Sequence, residues 1–251
     1  MKQKRNSVSK FENIRQRILI YKTWYKIVFP FNRWFNGIQQ MRLRNGKSIY
    51  VRSVHPKCPM DVSITTDVLG HNEYELKQLQ GRDIHTVVDL GANIGTFSME
   101  MHRLFPSAKI VAYEPHPENC YMFRINAPYA TLIEKAISGT KGVARLEDTM
   151  NSVGLRLVEE GGIEVETETL DNALKNMSTV DILKIDIEGS EYEVLDKTCP
   201  KIFEKISTII MEIHPFGLVP NHVAWAENML LKHGFKISWI IDGTSVIYGE
   251  K

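Results

Sequence analysis

Five short, nearly continuous apolar runs recur along this chain, at Thr86 to Leu90, Lys109 to Tyr113, Thr131 to Glu134, Val180 to Asp186 and Ser207 to Glu212. Runs of that length without polar alternation are what strands buried on both faces require. Between them lie segments of helical periodicity, Phe97 to Leu104, Pro117 to Ile125, Ser190 to Asp196 and His222 to His233. Alternation of the two kinds implies a parallel sheet wound by right-handed crossovers. The C-terminus breaks the rule: Phe235 to Ile240 and Thr244 to Tyr248 are strand-like runs joined through Asp242-Gly243, with no room for a helix. The last strand therefore returns antiparallel. The expected fold is α/β and Rossmann-like, a mostly parallel seven-stranded sheet with an antiparallel C-terminal hairpin.

Upstream of the sheet, MRLRNGKSIYVRSV alternates polar and apolar residues around Asn45-Gly46, the signature of a β-ribbon. Asn72 is placed to cap a short helix through Gln80, with Gly81 closing it in the left-handed position. Glu159, Glu160, Gly161 and Gly162 form an exposed turn. Residues 1 to 44 carry eleven Lys or Arg against the single acid Glu12. Between Ile14 and Ile38 these bases interleave with Trp24, Tyr25, Phe29, Phe31, Trp34 and Phe35. That composition suits an amphipathic helix packed on the following domain, an interfacial helix against anionic lipid, or a nucleic-acid contact. Cys58, Cys120 and Cys199 show no CxxC spacing, which points to neither a disulfide framework nor a zinc site. With no apolar run of about 18 residues and no secretory leader, a cytoplasmic protein is expected, able to sit peripherally at the inner membrane face.

Four blocks carry chemistry. In VVDLGANIGTFS, Asp89 ends a strand and Gly91, Asn93 and Gly95 turn the chain into a helix. Glycines there admit a close ligand and a close helix. The middle glycine of a dinucleotide turn is replaced by Asn93, which suits the amino-acid end of a cofactor better than a pyrophosphate. Glu114 follows at the end of the next strand, 25 residues after Asp89, where a carboxylate can accept both ribose hydroxyls. His116 can flank an adenine. In DILKIDIEGSEYEVL, Lys184, Asp186 and Glu188 leave a buried strand at alternate positions. Charges there are costly unless they face a cleft or pair with each other. In STIIMEIHP, Glu212 and His214 leave the next strand on a common face. Together with Asp186 they can supply a general base to an alcohol, or ligate a divalent cation, which is not required.

These blocks, occurring together in this order, resemble the FkbM-type methyltransferases, a family of S-adenosylmethionine-dependent O-methyltransferases. The likeness runs from about Asn45 to Tyr248. It implies the class I methyltransferase fold, preceded here by an N-terminal helix and β-ribbon. It further implies S-adenosylmethionine as cofactor, with Asp89, Gly91, Asn93 and Gly95 at the methionine end and Glu114 on the ribose. Asp186, Glu188, Glu212 and His214 fall on the acceptor side. AISGTKGVARLED with Asn151-Ser152 resembles the family's connection to an acceptor-side loop. The implied function is methylation of a hydroxyl on a sugar, glycan or other small-molecule acceptor. A nucleic-acid methyltransferase is the rival enzyme, disfavoured because the strand exit is DIEG rather than the proline-proline-aromatic sequence of many amino-directed enzymes. A non-catalytic cofactor-binding scaffold is the rival from another class. The expected organisation is a basic, aromatic helical extension at 1–44, the ribbon and helix at 45–81, and the S-adenosylmethionine-binding catalytic domain at 82–251.

Overall fold

A computed structural model describes residues 2–4, 10–24, 37–52, 61–147, 157–215, 221–242 and 245–251. Its centre is an eight-stranded sheet. Strands β4 (Thr86–Leu90), β5 (Lys109–Tyr113), β6 (Thr131–Ile133), β11 (Val180–Ile185) and β12 (Ile206–Glu212) run parallel. Beyond β12 lies β14 (Val246–Glu250), antiparallel both to β12 and to β13 (Lys236–Asp242). The order is therefore β13-β14-β12-β11-β4-β5-β6, the expected seven strands with the reversed hairpin strand inserted next to β12. An eighth, β1 (Lys2–Lys4), adds in parallel to β13 at the edge.

Two-residue alternation along the buried strands feeds two apolar layers. Val88, Leu183 and Ile209 face one layer with Val194, Leu195 and Leu230. Val87, Ile182 and Ile210 face the other, against Phe97 and Met101. Those last two lie on the helix after β4, α3 (Thr96–Leu104). Leu76 and Leu79 close the same layer. Each such fully buried side chain is worth roughly 1.5–3 kcal/mol, so it is the doubly covered sheet that holds the site rigid.

The ribbon forms as expected. β2 (Ile38–Arg42) and β3 (Ser48–Arg52) pair antiparallel, and Gly46 takes φ +86° in their turn. The first ribbon strand lies in the stretch assigned to the N-terminal extension. Met41, Ile49 and Val51 pack on Ile94, Met99 and Met122. Asn126, on the helix after β5, α4 (Pro117–Asn126), staples the ribbon down by bonding both backbone groups of Tyr50 at 2.8 and 3.0 Å. The N-terminal helix α1 (Lys10–Ile20) continues into Tyr21, fully buried and bridged to Leu43. Of the aromatic stretch beyond it, Tyr25, Phe29, Phe31, Trp34 and Phe35 lie outside the described residues.

Asn72 behaves differently from expectation. A short helix α2 (Asp61–Thr66) widens into a π-helical turn (Asp67–His71), and Asn72 closes it at φ +54°. Asparagine tolerates the left-handed region, so the residue ends a helix rather than starting one. Only Leu76–Leu79 form a following 3-10 turn, and Gly81 at φ +80° terminates it.

A second, four-stranded sheet was not anticipated. It joins β7 (Ala136–Ile137), β10 (Ile163–Glu168), β8 (Gly142–Leu146) and β9 (Leu157–Val158), in that order. Glu159 to Gly162 form the exposed turn between β9 and β10, with Gly161 and Gly162 at φ +75° and +67°. Asn151 and Ser152 lie outside the described residues.

Candidate active site

A cavity of about 220 Å³ opens at the carboxyl ends of β4, β5, β11 and β12, the crevice in which open α/β sheets bind ligands. Alternation decides which side chains meet there. Because Val87, Ile182 and Ile210 share a face, Asp89, Lys184 and Glu212, each two positions further on, share it too.

Register pairs Lys184 with Asp89. The Lys184 ammonium lies 3.3 Å from Asp89 Oδ1 and 3.3 Å from Asp186 Oδ2, and donates to the Gly91 carbonyl at 2.8 Å. Burial opposes that charge, but the Asp186 and Asp89 carboxylates outweigh it and keep the proton on. The ion pair seen in the sequence as an alternative to a site role thus exists for Asp186. Glu188 turns to His214 instead.

Asp186 also accepts the Tyr74 hydroxyl on Oδ2 at 2.8 Å. Burial would raise its pKa, yet Lys184, His214 and the Tyr74 hydrogen bond hold it below the ordinary value. Glu212 is the converse case: burial, then the neighbouring Asp186 and Glu73 carboxylates, push its pKa up to about 9. At neutral pH Asp186 is ionised and Glu212 carries its proton.

His214 sits among acids. Its Nδ1 is 3.0 Å from Glu191 Oε1, and its Nε2 is 3.3 Å from Glu188 Oε2 and 4.0 Å from Asp186 Oδ1. Burial disfavours the imidazolium, but the Glu191 bond and the charges of Asp186, Glu191 and Glu188 push its pKa up to about 9. One donor atom each of Asp186, Glu212 and His214 lie within 4.8 Å of one another, the convergence a divalent cation needs.

Glu191 escaped the sequence analysis. Fully buried, it accepts the backbone N–H groups of Ile187 at 3.1 Å and Gly189 at 2.9 Å. It thereby fixes the turn in which Glu188 takes φ +56°, a region unfavourable to side chains. The available signal was an acid at the first helical position after a glycine turn, where orphan amides call for one.

On the other side, Asn93 at φ +49° donates its backbone N–H to Glu114 Oε2 at 2.8 Å. Glu114 Oε1 accepts the His116 N–H at 2.9 Å and Asn119 Nδ2 at 3.2 Å. Burial raises the Glu114 pKa while those donors pull it back. Gly91 is dictated by the neighbouring strand: at φ +77°, a Cβ there would lie 1.8 Å from the Asp186 carbonyl oxygen. Gly95, at φ +90°, would meet the Phe123 ring at 3.0 Å.

Gly91, Asn93, Glu114, Asp186, Glu188, Glu212 and His214 all line the cavity. Asp89, Gly95 and His116 do not. Asp89 is fully buried behind the turn, taking the Ser98 hydroxyl at 2.7 Å as well as Lys184. Gly95 faces Phe123, and His116 caps α4 beneath Glu114. Ser63, Ile64, Asp67, Val68, Glu73 and Tyr74 line it too, a stretch with no motif to announce it.

A glycine turn after β4, an acid after β5, charged exits from β11 and β12 and a reversed strand beside β12 define a class I S-adenosylmethionine-dependent methyltransferase. The chain belongs to the FkbM methyltransferase family, whose domain model, "Methyltransferase FkbM domain", matches residues 89–237. It is 28% identical to methyltransferase sdnD of Sordaria araneosa over 66% of this chain and 81% of that protein. It is 23% identical to methyltransferase 1 of Beauveria bassiana, covering 80% of this chain and 90% of the relative. The 31-O-demethyl-FK506 methyltransferase FkbM of Streptomyces tacrolimicus is 23% identical, again over 80% of this chain and 90% of its own length.

Proposed function

We propose that this enzyme moves the methyl group of S-adenosylmethionine to a hydroxyl oxygen of a sugar, glycan or other small-molecule acceptor. The observation carrying the proposal is the meeting, in one cavity, of Glu114 and the Gly91 turn with Asp186, Glu212 and His214 at neighbouring strand ends. The name of the Streptomyces relative, with its O-demethyl substrate, supports oxygen as the target.

The residues fit the cofactor. Gly91 and Asn93 would face its methionine end, and Glu114 the ribose, since three donors leave about one of its four lone-pair sites open. Asp89 and Gly95 would shape that turn from behind. The bound cofactor supplies an already activated methyl, so the protein's task is alignment and proton removal. Asp186 is the ionised acid of the trio, and with Oδ2 taken by Tyr74 and Lys184, Oδ1 is its working oxygen. It would accept the acceptor's hydroxyl proton. Glu212, protonated, would donate to the acceptor, and the His214 imidazolium, braced by Glu188 and Glu191, would stabilise the Asp186 charge. Residues 82–251 would form the catalytic domain, with 63–74 as its acceptor wall.

A divalent cation on Asp186, Glu212 and His214 is the second reading, favoured by their convergence. Chelation that abolishes turnover, reversed by magnesium or manganese, would establish it. The reaction itself is tested by incubating the chain with methyl-labelled S-adenosylmethionine and a library of hydroxylated small molecules. An alkali-stable methyl ether is expected. Label on nitrogen, carbon or nucleic acid would overturn oxygen transfer, and cofactor binding with no labelled product would favour the scaffold.

A further inference from the structure

Alternation along the N-terminal ribbon gives one face to the core and the other to solvent. On β2 and just beyond it, Met41 and Leu43 are buried while Ile38, Gln40, Arg42 and Arg44 are exposed, and Lys47 is exposed in the turn. The chain leaving α1 runs along the same edge. Lys22 donates its backbone N–H to the Arg42 carbonyl at 2.7 Å, and Arg44 donates its own to the Ile20 carbonyl at 2.8 Å. Tyr21 and Leu43 bridge on the buried side, so Lys22 and Arg42 lie opposite each other on the solvent side. Like charges opposed in this way are destabilising. No Asp or Glu occurs from Asn13 to Met60 to offset them, and Lys22, Arg42, Arg44 and Lys47 make no ion pair among the described residues. Arg44 Nε is held in place by the Ile18 carbonyl at 2.7 Å, a bond that leaves its charge unneutralised.

Apolar side chains border these cations. Among the described residues, seven large hydrophobic side chains are exposed, and three belong to this unit: Ile14 at 42%, Leu19 at 53% and Ile38 at 40%. Leu19 immediately precedes Ile20, whose carbonyl holds Arg44, and Ile38 shares the solvent face of β2 with Arg42. A nucleic-acid backbone would satisfy the cations and leave the aliphatic groups wet. The boundary between phospholipid headgroups and acyl chains satisfies both. Charge also sets the orientation, because the first 44 residues carry a net +10 in a chain of net +1, which leaves −9 on the remainder. An anionic surface attracts this end and repels the rest.

We infer that the solvent face built by Lys22, Arg42, Arg44 and Lys47, edged by Leu19 and Ile38, docks the enzyme peripherally on a bilayer of anionic phospholipid. No helix among the described residues is long and apolar enough to cross a membrane, so the contact is one of surface charge and shallow apolar insertion. Behind this face, Tyr21, Met41 and Leu43 pack in one cluster with Val62, the neighbour of the cavity-lining Ser63 and Ile64. Docking therefore holds the cavity-lining segment one packing layer from the lipid. The inference stands independently of which atom the enzyme methylates.

Co-sedimentation of the full chain with vesicles decides the matter. Binding is expected to mixed phosphatidylcholine–phosphatidylglycerol vesicles, to be absent with phosphatidylcholine alone, and to fall steeply as salt is raised. The triple variant Lys22→Gln, Arg42→Gln, Lys47→Gln should lose at least about 10-fold in partitioning. Its melting temperature and S-adenosylhomocysteine affinity should match wild type. A control of equal charge change at other exposed lysines, Lys175→Gln, Lys201→Gln, Lys232→Gln, should bind vesicles as wild type does. Leu19→Ser should weaken binding several-fold and leave its salt dependence in place. Wild type that ignores anionic vesicles, or binds duplex DNA or RNA more tightly than it binds them, would overturn the inference. So would a folded triple variant that partitions like wild type, or one that loses no more than the control.

Discussion

The Lys184 ammonium lies 3.3 Å from Asp89 Oδ1 inside the sheet, where the lysine is 2% exposed and the aspartate fully buried. Their adjacency follows from register, and it joins the glycine turn to the acceptor side through Asp186. Removing the cation would strand two carboxylates in a low-dielectric interior. Lys184→Met should therefore destabilise the fold by about 3–5 kcal/mol, measured by denaturant unfolding with an unchanged m value. A loss under about 1 kcal/mol would show that the pair is not an anchor.

Gly91 offers a sharper test of backbone geometry. With φ at +77° and the Asp186 carbonyl 1.8 Å from the place a Cβ would take, Gly91→Ala has to push β4 away from β11. Soluble yield and thermal stability should drop severely, by about 3 kcal/mol or more in any protein recovered. Gly46→Ala, which has open space around it but also a positive φ, should cost only about 1 kcal/mol. Equal effects at the two positions would mean that the strand contact carries little weight.

The two shifted groups of the acceptor side predict the pH dependence of stability. His214 is raised from 6.5 to about 9 and Glu212 from 4.5 to about 9, so the folded protein keeps protons that the unfolded chain releases. His214's stabilising contribution is complete below pH 6.5 and Glu212's below pH 4.5, and both are lost as pH rises through 9. The melting temperature should fall between about pH 6.5 and 9, less steeply in Glu212→Gln, which cannot ionise. Scanning calorimetry across that range checks it. A flat wild-type profile, or an identical slope in the variant, would contradict the assigned shifts.

Much of this was legible in the sequence because the core strands bury both faces and so drop polar alternation, which made β4, β11 and β12 visible together with the acids at their exits. The reversed hairpin was legible from spacing alone. The small second sheet was missed although IEVETE carries the signal plainly: Val165 and Thr167 are buried while Glu164 and Glu166 are exposed. The alternating acids of that run, Glu164, Glu166 and Glu168, leave no continuous apolar run of the kind that marks the strands buried on both faces. Tyr74 and Asp67 could not be found by motif, since they reach the cavity only because α2 and its π-helical turn fold over the strand ends. Asp89 looked like a ligand contact, whereas its partners, Ser98 and Lys184, are set by three-dimensional packing.

The central claim is that Asp186 acts on the acceptor while Glu114 acts on the cofactor, and one paired measurement tests it most directly. Affinity for S-adenosylhomocysteine and the rate of methyl-ether formation from labelled S-adenosylmethionine are measured in wild type, Asp186→Asn and Glu114→Ala. Glu114→Ala should lose about 1–3 kcal/mol of binding. Asp186→Asn should keep its affinity within about 3-fold while transfer falls by about 100-fold or more. An Asp186→Asn enzyme that transfers methyl to oxygen at the wild-type rate, or one that loses product affinity as severely as Glu114→Ala, would contradict the account.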